Sequence, residues 1–177
     1  MITLPAEAPA DGPLLLTGAS GWFGKTALWE YEQRYGPQAL RHDVLAFAST
    51  AKDINFGSPH GPMPALPLSK ICDSVRPRGL IHLAFLTRDQ LHNVDIKRYI
   101  EINRGISRQI EQLIMNHPSL PIITTSSGAA AVLDDRCSDL DNNPYASLKQ
   151  EEEYLWRSLA QGRMASFSGS MQHRDVS

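Results

Sequence analysis

Three glycines spaced G-x-x-G-x-x-G, in Thr17-Gly18-Ala19-Ser20-Gly21-Trp22-Phe23-Gly24, constrain this chain more than any other stretch. They join an apolar run, Leu14-Leu15-Leu16, to a segment of helical character starting near Lys25. Glycine lets the main chain bend sharply and come close to a ligand, and the N–H groups and dipole of a following helix favour a pyrophosphate there. The turn therefore reads as a dinucleotide grip built on Gly18, Ser20, Gly21 and Gly24. A glycine-rich turn without a ligand explains the same spacing. The arrangement departs from the commoner G-x-G-x-x-G but meets its mechanism.

The same residues contain a rival. Ala19, four intervening residues and then Gly24-Lys25-Thr26 nearly match the phosphate loop G-x-x-x-x-G-K-[ST], with alanine in the first glycine position. That reading, a nucleoside triphosphatase, needs a carboxylate for magnesium at the end of a neighbouring strand. The best later strand candidate, Leu80-Ile81-His82-Leu83-Ala84-Phe85, ends without one, and Asp89 comes several residues further on. The dinucleotide reading is the stronger.

A chain of 177 residues, 42% of them hydrophobic, can bury one ordinary core. Its formal net charge of -2 gives no electrostatic reason to expect nucleic acid or an anionic membrane as partner, so a small-molecule ligand is expected. Cys72 and Cys137 are far apart and lack metal-binding spacing, which points to ordinary reduced thiols and no metal site. The start has no basic region or long apolar core, and no later run reaches membrane-spanning length, so a cytoplasmic protein is expected.

Periodicity orders the rest. Ala27, Leu28, Tyr31 and Tyr35 recur at helical spacing, and Gly36-Pro37 is a stop signal. Val44 to Ala48 reads as a buried strand, which completes a strand, helix, strand unit of parallel-crossover length. After it, where an acidic residue commonly binds the adenosine ribose, stands Ser49-Thr50-Ala51-Lys52. A hydroxyl followed by a lysine suits a 2′-phosphate, and a solvated turn explains it equally, which leaves NAD or NADP open. Residues 53–67 are rich in glycine and proline, and any strand at Met63 to Leu66 should be short or at an edge. A helix from Leu68 to Val75, a central strand from Leu80 to Phe85 and a long helix through Tyr99, Ile100, Asn103, Ile106, Ile110, Leu113 and Ile114 follow. His82 is expected to be a hydrogen-bonded core residue. Pro121 to Thr125 is the next strand, leading into Ser126-Ser127-Gly128, and Asn143-Pro144 opens another helix as N-cap and first helical residue. Trp29 and Trp156 are expected to pack, and Glu151-Glu152-Glu153 to be a solvated helix start and not a metal site. The alternation predicts a doubly wound parallel sheet, a Rossmann-like α/β domain over residues 13–161, between a flexible segment 1–12 and a disordered tail 162–177.

The last helix carries the chemistry. Tyr145 and Lys149, in Tyr-Ala-Ser-Leu-Lys, share one helical face. A free tyrosine has a pKa of about 10, and a neighbouring ammonium favours its phenolate, so Tyr145 can serve as general acid or base. With Ser127 at the carboxyl end of a strand, a substrate hydroxyl or carbonyl can be held while hydride passes to or from a nicotinamide. A surface tyrosine–lysine pair is the plain alternative.

Taken together, T17-G-A-S-G-W-F-G24, I81-H-L-A-F85, Asn103, S126-S127 and Y145-A-S-L-K149 resemble the extended short-chain dehydrogenase/reductases, a family that includes NAD-dependent epimerases and dehydratases acting on nucleotide sugars. The likeness runs from about Leu14 to Leu159. It implies Ser127, Tyr145 and Lys149 as the catalytic group, with Lys149 also touching the nicotinamide ribose and Ser126 a rival for the serine. It further implies that the backbone at Trp22 and Phe23 meets the pyrophosphate, that Leu83 and Ala84 border the cofactor, and that Asn103 supports the active-site helix. The substrate would be a nucleotide sugar or another small molecule, and the helix through residues 99–114 would pair two subunits, although core packing alone explains its apolar face equally.

The chain departs from that family in lacking acidic residues after the second and third strands. Related proteins also continue into a sixth strand and a substrate-binding region. The expectation is therefore a nearly complete cofactor half with most of the C-terminal substrate-binding part missing. A non-catalytic dinucleotide-binding module, or a truncated relic, is the alternative to an enzyme.

Overall fold

The computed structural model describes residues 12–73, 76–130 and 140–171, with side chains through residue 160. The expected flexible segment 1–12 lies outside the described residues except for Gly12, as do Cys137, Val75 and most of the polar loop before Asn143. The chain divides into two units, Met1–Leu86 with Gly105–Thr125, and Thr87–Arg104 with Ser126–Ser177.

The first unit holds a six-stranded sheet. Its strands are β1 (Leu14–Thr17), β2 (Val44–Ala48), β3 (Lys52–Ile54), β4 (Met63–Pro67), β5 (Gly79–His82) and β6 (Ile122–Thr124). They lie in the order β3-β4-β2-β1-β5-β6. All neighbours are parallel except β3 against β4. β1 is central, with Leu14 opposite Val44 on one side and Gly79 on the other, and Thr17 opposite Phe47 and His82. Leu15 and Leu16, successive residues that face opposite sides, are both buried, as a strand covered on both faces requires. One core cluster gathers Leu16 and Ala46 from the sheet with Leu28, Leu40 and Phe56.

The helix α1 (Trp22–Tyr35) ends where Gly36, at φ 88°, turns its N–H to the Glu32 carbonyl at 2.8 Å. The stop expected at Gly36-Pro37 is there, and a second helix follows it directly. Pro37 occupies the first turn of a second helix, α2 (Pro37–Asp43), a position where its missing N–H costs nothing. At seven residues α2 is too short to show a period, and Leu40 anchors it in the core.

β4 is short, at five residues, but it is not at an edge. It lies between β2 and β3, with Ala65 opposite both Ala46 and Lys52, and the edge is the unforeseen three-residue β3. Burial of Met63 and Ala65 holds β4 in place despite Pro64 and Pro67. The segment after it is a 3-10 helix, Leu68–Asp73, anchored by buried Leu68 and Ile71.

The helix α3 (Ile96–Asn116) belongs to both units in sequence. In the second unit, α4 (Pro144–Met171) starts as expected: Asn143 Oδ1 accepts the Ala146 N–H at 3.4 Å, and Pro144 is the first helical residue. α4 continues to Met171, so the segment expected as a tail begins inside this helix. Among the described residues no helix is long and apolar enough to cross a membrane.

Candidate functional site

The glycine turn follows β1 at the carboxyl end of the sheet, where ligands bind in open parallel sheets. Gly18 has φ 67°, and a Cβ there would fall 2.6 Å from the Leu83 carbonyl and 2.7 Å from the Ala84 nitrogen. A Cβ on Gly24 would fall 2.3 Å from the Gly18 carbonyl oxygen. Backbone blocks both positions, so the fold itself demands these two glycines. Gly21 is different: its φ of −75° suits any residue, and a Cβ would meet only the Gly18 oxygen, at 3.3 Å. The turn is closed by Gly21 N–H to the Gly18 carbonyl at 2.9 Å and tied to β2 by Ala19 N–H to the Phe47 carbonyl at 3.2 Å.

The α1 ladder begins with Lys25 N–H to the Gly21 carbonyl, so the N–H groups of Trp22, Phe23 and Gly24 precede it. Gly21 caps the helix without a side chain. The rings of Trp22 and Phe23 are exposed and lie 4.7 Å apart in tilted contact. In the rival phosphate-loop reading Thr26 would turn its hydroxyl to magnesium; here it donates to the Trp22 carbonyl at 3.1 Å.

Leu83 and Ala84 were expected to prolong the fifth strand and border a cofactor. The strand stops at His82, and both N–H groups turn to the Thr17 hydroxyl oxygen, at 3.1 and 3.2 Å. Thr17 Oγ1 also lies 2.7 Å from His82 Nδ1. The two N–H donors leave the hydroxyl proton as the one that suits Nδ1. His82 is thereby a buried, bonded core residue, as expected. Beyond β2, Ser49 to Lys52 are all exposed and include no carboxylate.

In the second unit, Ser126 and Ser127 follow the last strand. The Ser126 hydroxyl donates to Glu153, and Ser126 Oγ accepts the Ser127 N–H at 2.5 Å. Ser127 Oγ accepts the Ala129 N–H at 3.2 Å. Asn103 is 1% exposed, and its amide donates to the Tyr99 carbonyl at 3.3 Å. Burial pushes the Tyr99 phenol up to about 12; the nearby Tyr145 adds to this, and a hydrogen bond from Asn103 opposes it. Tyr99 therefore stays un-ionised, a fixed neighbour of the Tyr145 phenol.

Lys149 is nearly as buried, and its ammonium pairs with Glu152 at 2.8 Å. The run Glu151-Glu152-Glu153 is consequently no solvated face. Glu151 forms a forked ion pair with Arg104, at 2.7 and 3.0 Å, Glu152 holds Lys149, and Glu153 takes Ser126. Three adjacent carboxylates point around a helix at about 100° intervals, so each meets a different neighbour. Position on the helical wheel was the available signal, and composition concealed it. Trp29, expected to pack, is exposed, and Trp156 is half-buried. Among the described residues no cluster of three histidine, cysteine or acidic side chains could hold a metal ion.

This strand order, with a glycine turn after the central first strand, defines a doubly wound, mostly parallel Rossmann-like α/β fold. Among solved structures, L-threonine dehydrogenase from Clostridium difficile shares it at a TM-score of 0.62 and 19% identity, over 84% of this chain and 49% of that one. UDP-glucose 4-epimerase from Bifidobacterium longum, in complex with NAD+ and UDP, matches at 0.60 and 15% over 85% and 49%. MoeE5, in complex with UDP-glucose and NAD, matches at 0.59 and 20% over 84% and 49%. The likeness is one of fold, and the chain spans about half the length of each of these proteins. No family model and no curated protein matches the sequence.

Proposed function

We propose that this chain is an extended short-chain dehydrogenase/reductase that binds NAD or NADP at its glycine turn and carries the acid–base residues for hydride transfer on a hydroxyl or carbonyl. The observation that carries the reading is Gly21. Gly18 and Gly24 are forced by surrounding backbone, whereas a glycine at exposed Gly21 is only mildly required by the fold. A bare backbone there, ahead of the N–H groups of Trp22, Phe23 and Gly24, suits the close approach of a pyrophosphate.

In this reading the nicotinamide supplies the hydride acceptor or donor. Leu83 and Ala84, held by Thr17, border the cofactor, and Asn103 supports the active-site helix. Tyr145 exchanges the proton of the reacting oxygen, Ser127 donates a hydrogen bond to that oxygen, and Lys149 favours the phenolate and contacts the nicotinamide ribose. The substrate is a sugar-like or other small molecule, with nucleotide sugars and amino alcohols suggested by the ligands and names of the structural neighbours. A cytoplasmic location and a dimer through the partly exposed residues of α3 within 99–114, among them Ile106, belong to the same proposal; Tyr99, Asn103, Ile110, Leu113 and Ile114 on that helix are buried within the chain.

A second reading is a dinucleotide-binding module without turnover. Titration of the purified chain with NADH and NADPH, followed by cofactor fluorescence, tests both: saturable binding of either is expected. Magnesium-dependent ATP binding with neither nicotinamide cofactor bound would overturn them in favour of a triphosphatase.

A further inference from the structure

Ser126 and Ser127 are adjacent hydroxyls on the segment that leaves β6, and either could serve as the substrate-binding serine. Their bonding separates them. The Ser126 hydroxyl gives its proton to Glu153, and its oxygen takes the Ser127 N–H at 2.5 Å. Glu153 is in turn contacted by Arg157, one turn further along α4, at 3.4 Å. Ser127 Oγ acts as an acceptor, from Ala129 N–H at 3.2 Å, and the Ser127 carbonyl accepts the Ala130 N–H at 3.0 Å. The Ser127 backbone is thus held on both sides, while among the described residues its hydroxyl proton is given to no acceptor.

We propose that Glu153 is a positioning residue: through Ser126 it fixes the backbone of Ser127, the serine that the proposed reaction already gives to the substrate oxygen. The assignment rests on the dehydrogenase reading above. A carboxylate is suited to the task because it only accepts, so Ser126 must present its proton to Glu153 and its lone pair to the Ser127 amide. A charge-assisted bond of this kind is about twice as strong as a neutral one, which matters where an exposed serine meets a half-buried carboxylate. The relay also joins the serine segment to the helix that carries Tyr145 and Lys149, all within the second unit. A site residue on a loop needs such support if its hydroxyl is to stay in one place.

The test is the water-exchange rate of the Ser127 amide in the nitrogen-15-labelled full chain. Glu153→Ala and Ser126→Ala should each speed exchange about fivefold, the change expected from loss of one hydrogen bond. Glu153→Gln keeps an acceptor oxygen but loses the charge, and its exchange should fall between the parent and Glu153→Ala. Amides of Leu148 and Lys149 in α4 should not change. If Glu153→Ala instead loosens all of α4, Ser126→Ala, which alters no helical residue, decides alone. Unchanged Ser127 exchange in Ser126→Ala, or a Glu153→Gln protein as fast as Glu153→Ala with α4 intact, would overturn the proposal. NADH titration of the same samples separates the two ideas: a parent chain that binds no nicotinamide cofactor refutes the dehydrogenase reading, whatever the exchange rates show.

Discussion

Thr17 Oγ1 lies 2.7 Å from His82 Nδ1, joining the carboxyl ends of the two strands that meet at the middle of the sheet. The same oxygen takes the N–H groups of Leu83 and Ala84, so one side chain ends β5 and directs the chain beyond it. A hydroxyl with three partners in a buried position cannot be replaced by a methyl group without leaving donors and an acceptor unmatched. Thr17→Val, nearly isosteric, should lower stability by about 2–4 kcal/mol. Urea unfolding at constant m-value checks this, and loss below about 0.5 kcal/mol would show that the three bonds are dispensable.

Gly18 is restricted twice, by its positive φ and by Leu83 and Ala84 backbone within 2.7 Å of where a Cβ would stand. Neither obstacle is a flexible side-chain end. Gly18→Ala should destabilise the chain by about 2–4 kcal/mol and reduce NADH binding at least tenfold, because the turn must open. Gly21→Ala should fold nearly as well as the parent while losing affinity. Fluorescence titration alongside thermal unfolding distinguishes the two, and a Gly21→Ala protein with parental NADH affinity would remove the main support for the dinucleotide reading.

Lys149 and Glu152 form a buried pair, with side chains 7% and 3% exposed. Their mutual attraction offsets the cost of desolvating both charges, and removing one leaves the other uncompensated. Glu152→Ala should therefore cost about 3–5 kcal/mol, while the double change Lys149→Met with Glu152→Leu should cost far less. Chemical denaturation of the single and double variants measures the difference. Equal losses in both would mean that packing, not charge, dominates the position.

Asp43 is the centre of a cluster at the opposite, amino end of the strands. The hydrogen bond from His42 is the main reason that its carboxyl lies below the ordinary range, helped by Tyr31 at 2.9 Å and by Arg78, and opposed by burial. A lowered native pKa means that the folded state favours the carboxylate. The resulting stability is fully present above the unfolded value, about pH 4, and is lost as the pH falls through the lower native value. Asp43→Asn should remove up to about 1 kcal/mol at pH 7 and flatten the acid limb of the stability curve. Urea midpoints from pH 7 downward check this, and an acid limb unchanged in Asp43→Asn would place the titration elsewhere.

Tyr145→Phe keeps the ring and removes the group proposed to carry the proton. Turnover with NAD and either L-threonine or UDP-glucose, where found in the parent, should fall at least about a hundredfold, with nicotinamide binding within about threefold. Absorbance of NADH reads the first and fluorescence titration the second. Equal activity would reject Tyr145 as the acid–base group.

The sequence by itself determined the order of the main strands and helices, the glycine turn, the start of α4 at Asn143-Pro144 and the burial of His82. These are local matters: apolar period, φ restrictions at glycine and proline, and the capping geometry of adjacent residues are all encoded within a few positions. Tertiary structure alone decided that β4 lies inside the sheet with β3 at the edge, because the burial of Met63 and Ala65 between other strands outweighs the propensity of Pro64 and Pro67. It alone decided the partners of Glu151, Glu152 and Glu153, since three identical residues become different when helical rotation points them at Arg104, Lys149 and Ser126. Pairings between residues distant in sequence depend on which surfaces meet when the chain packs, and no spacing along the chain records that.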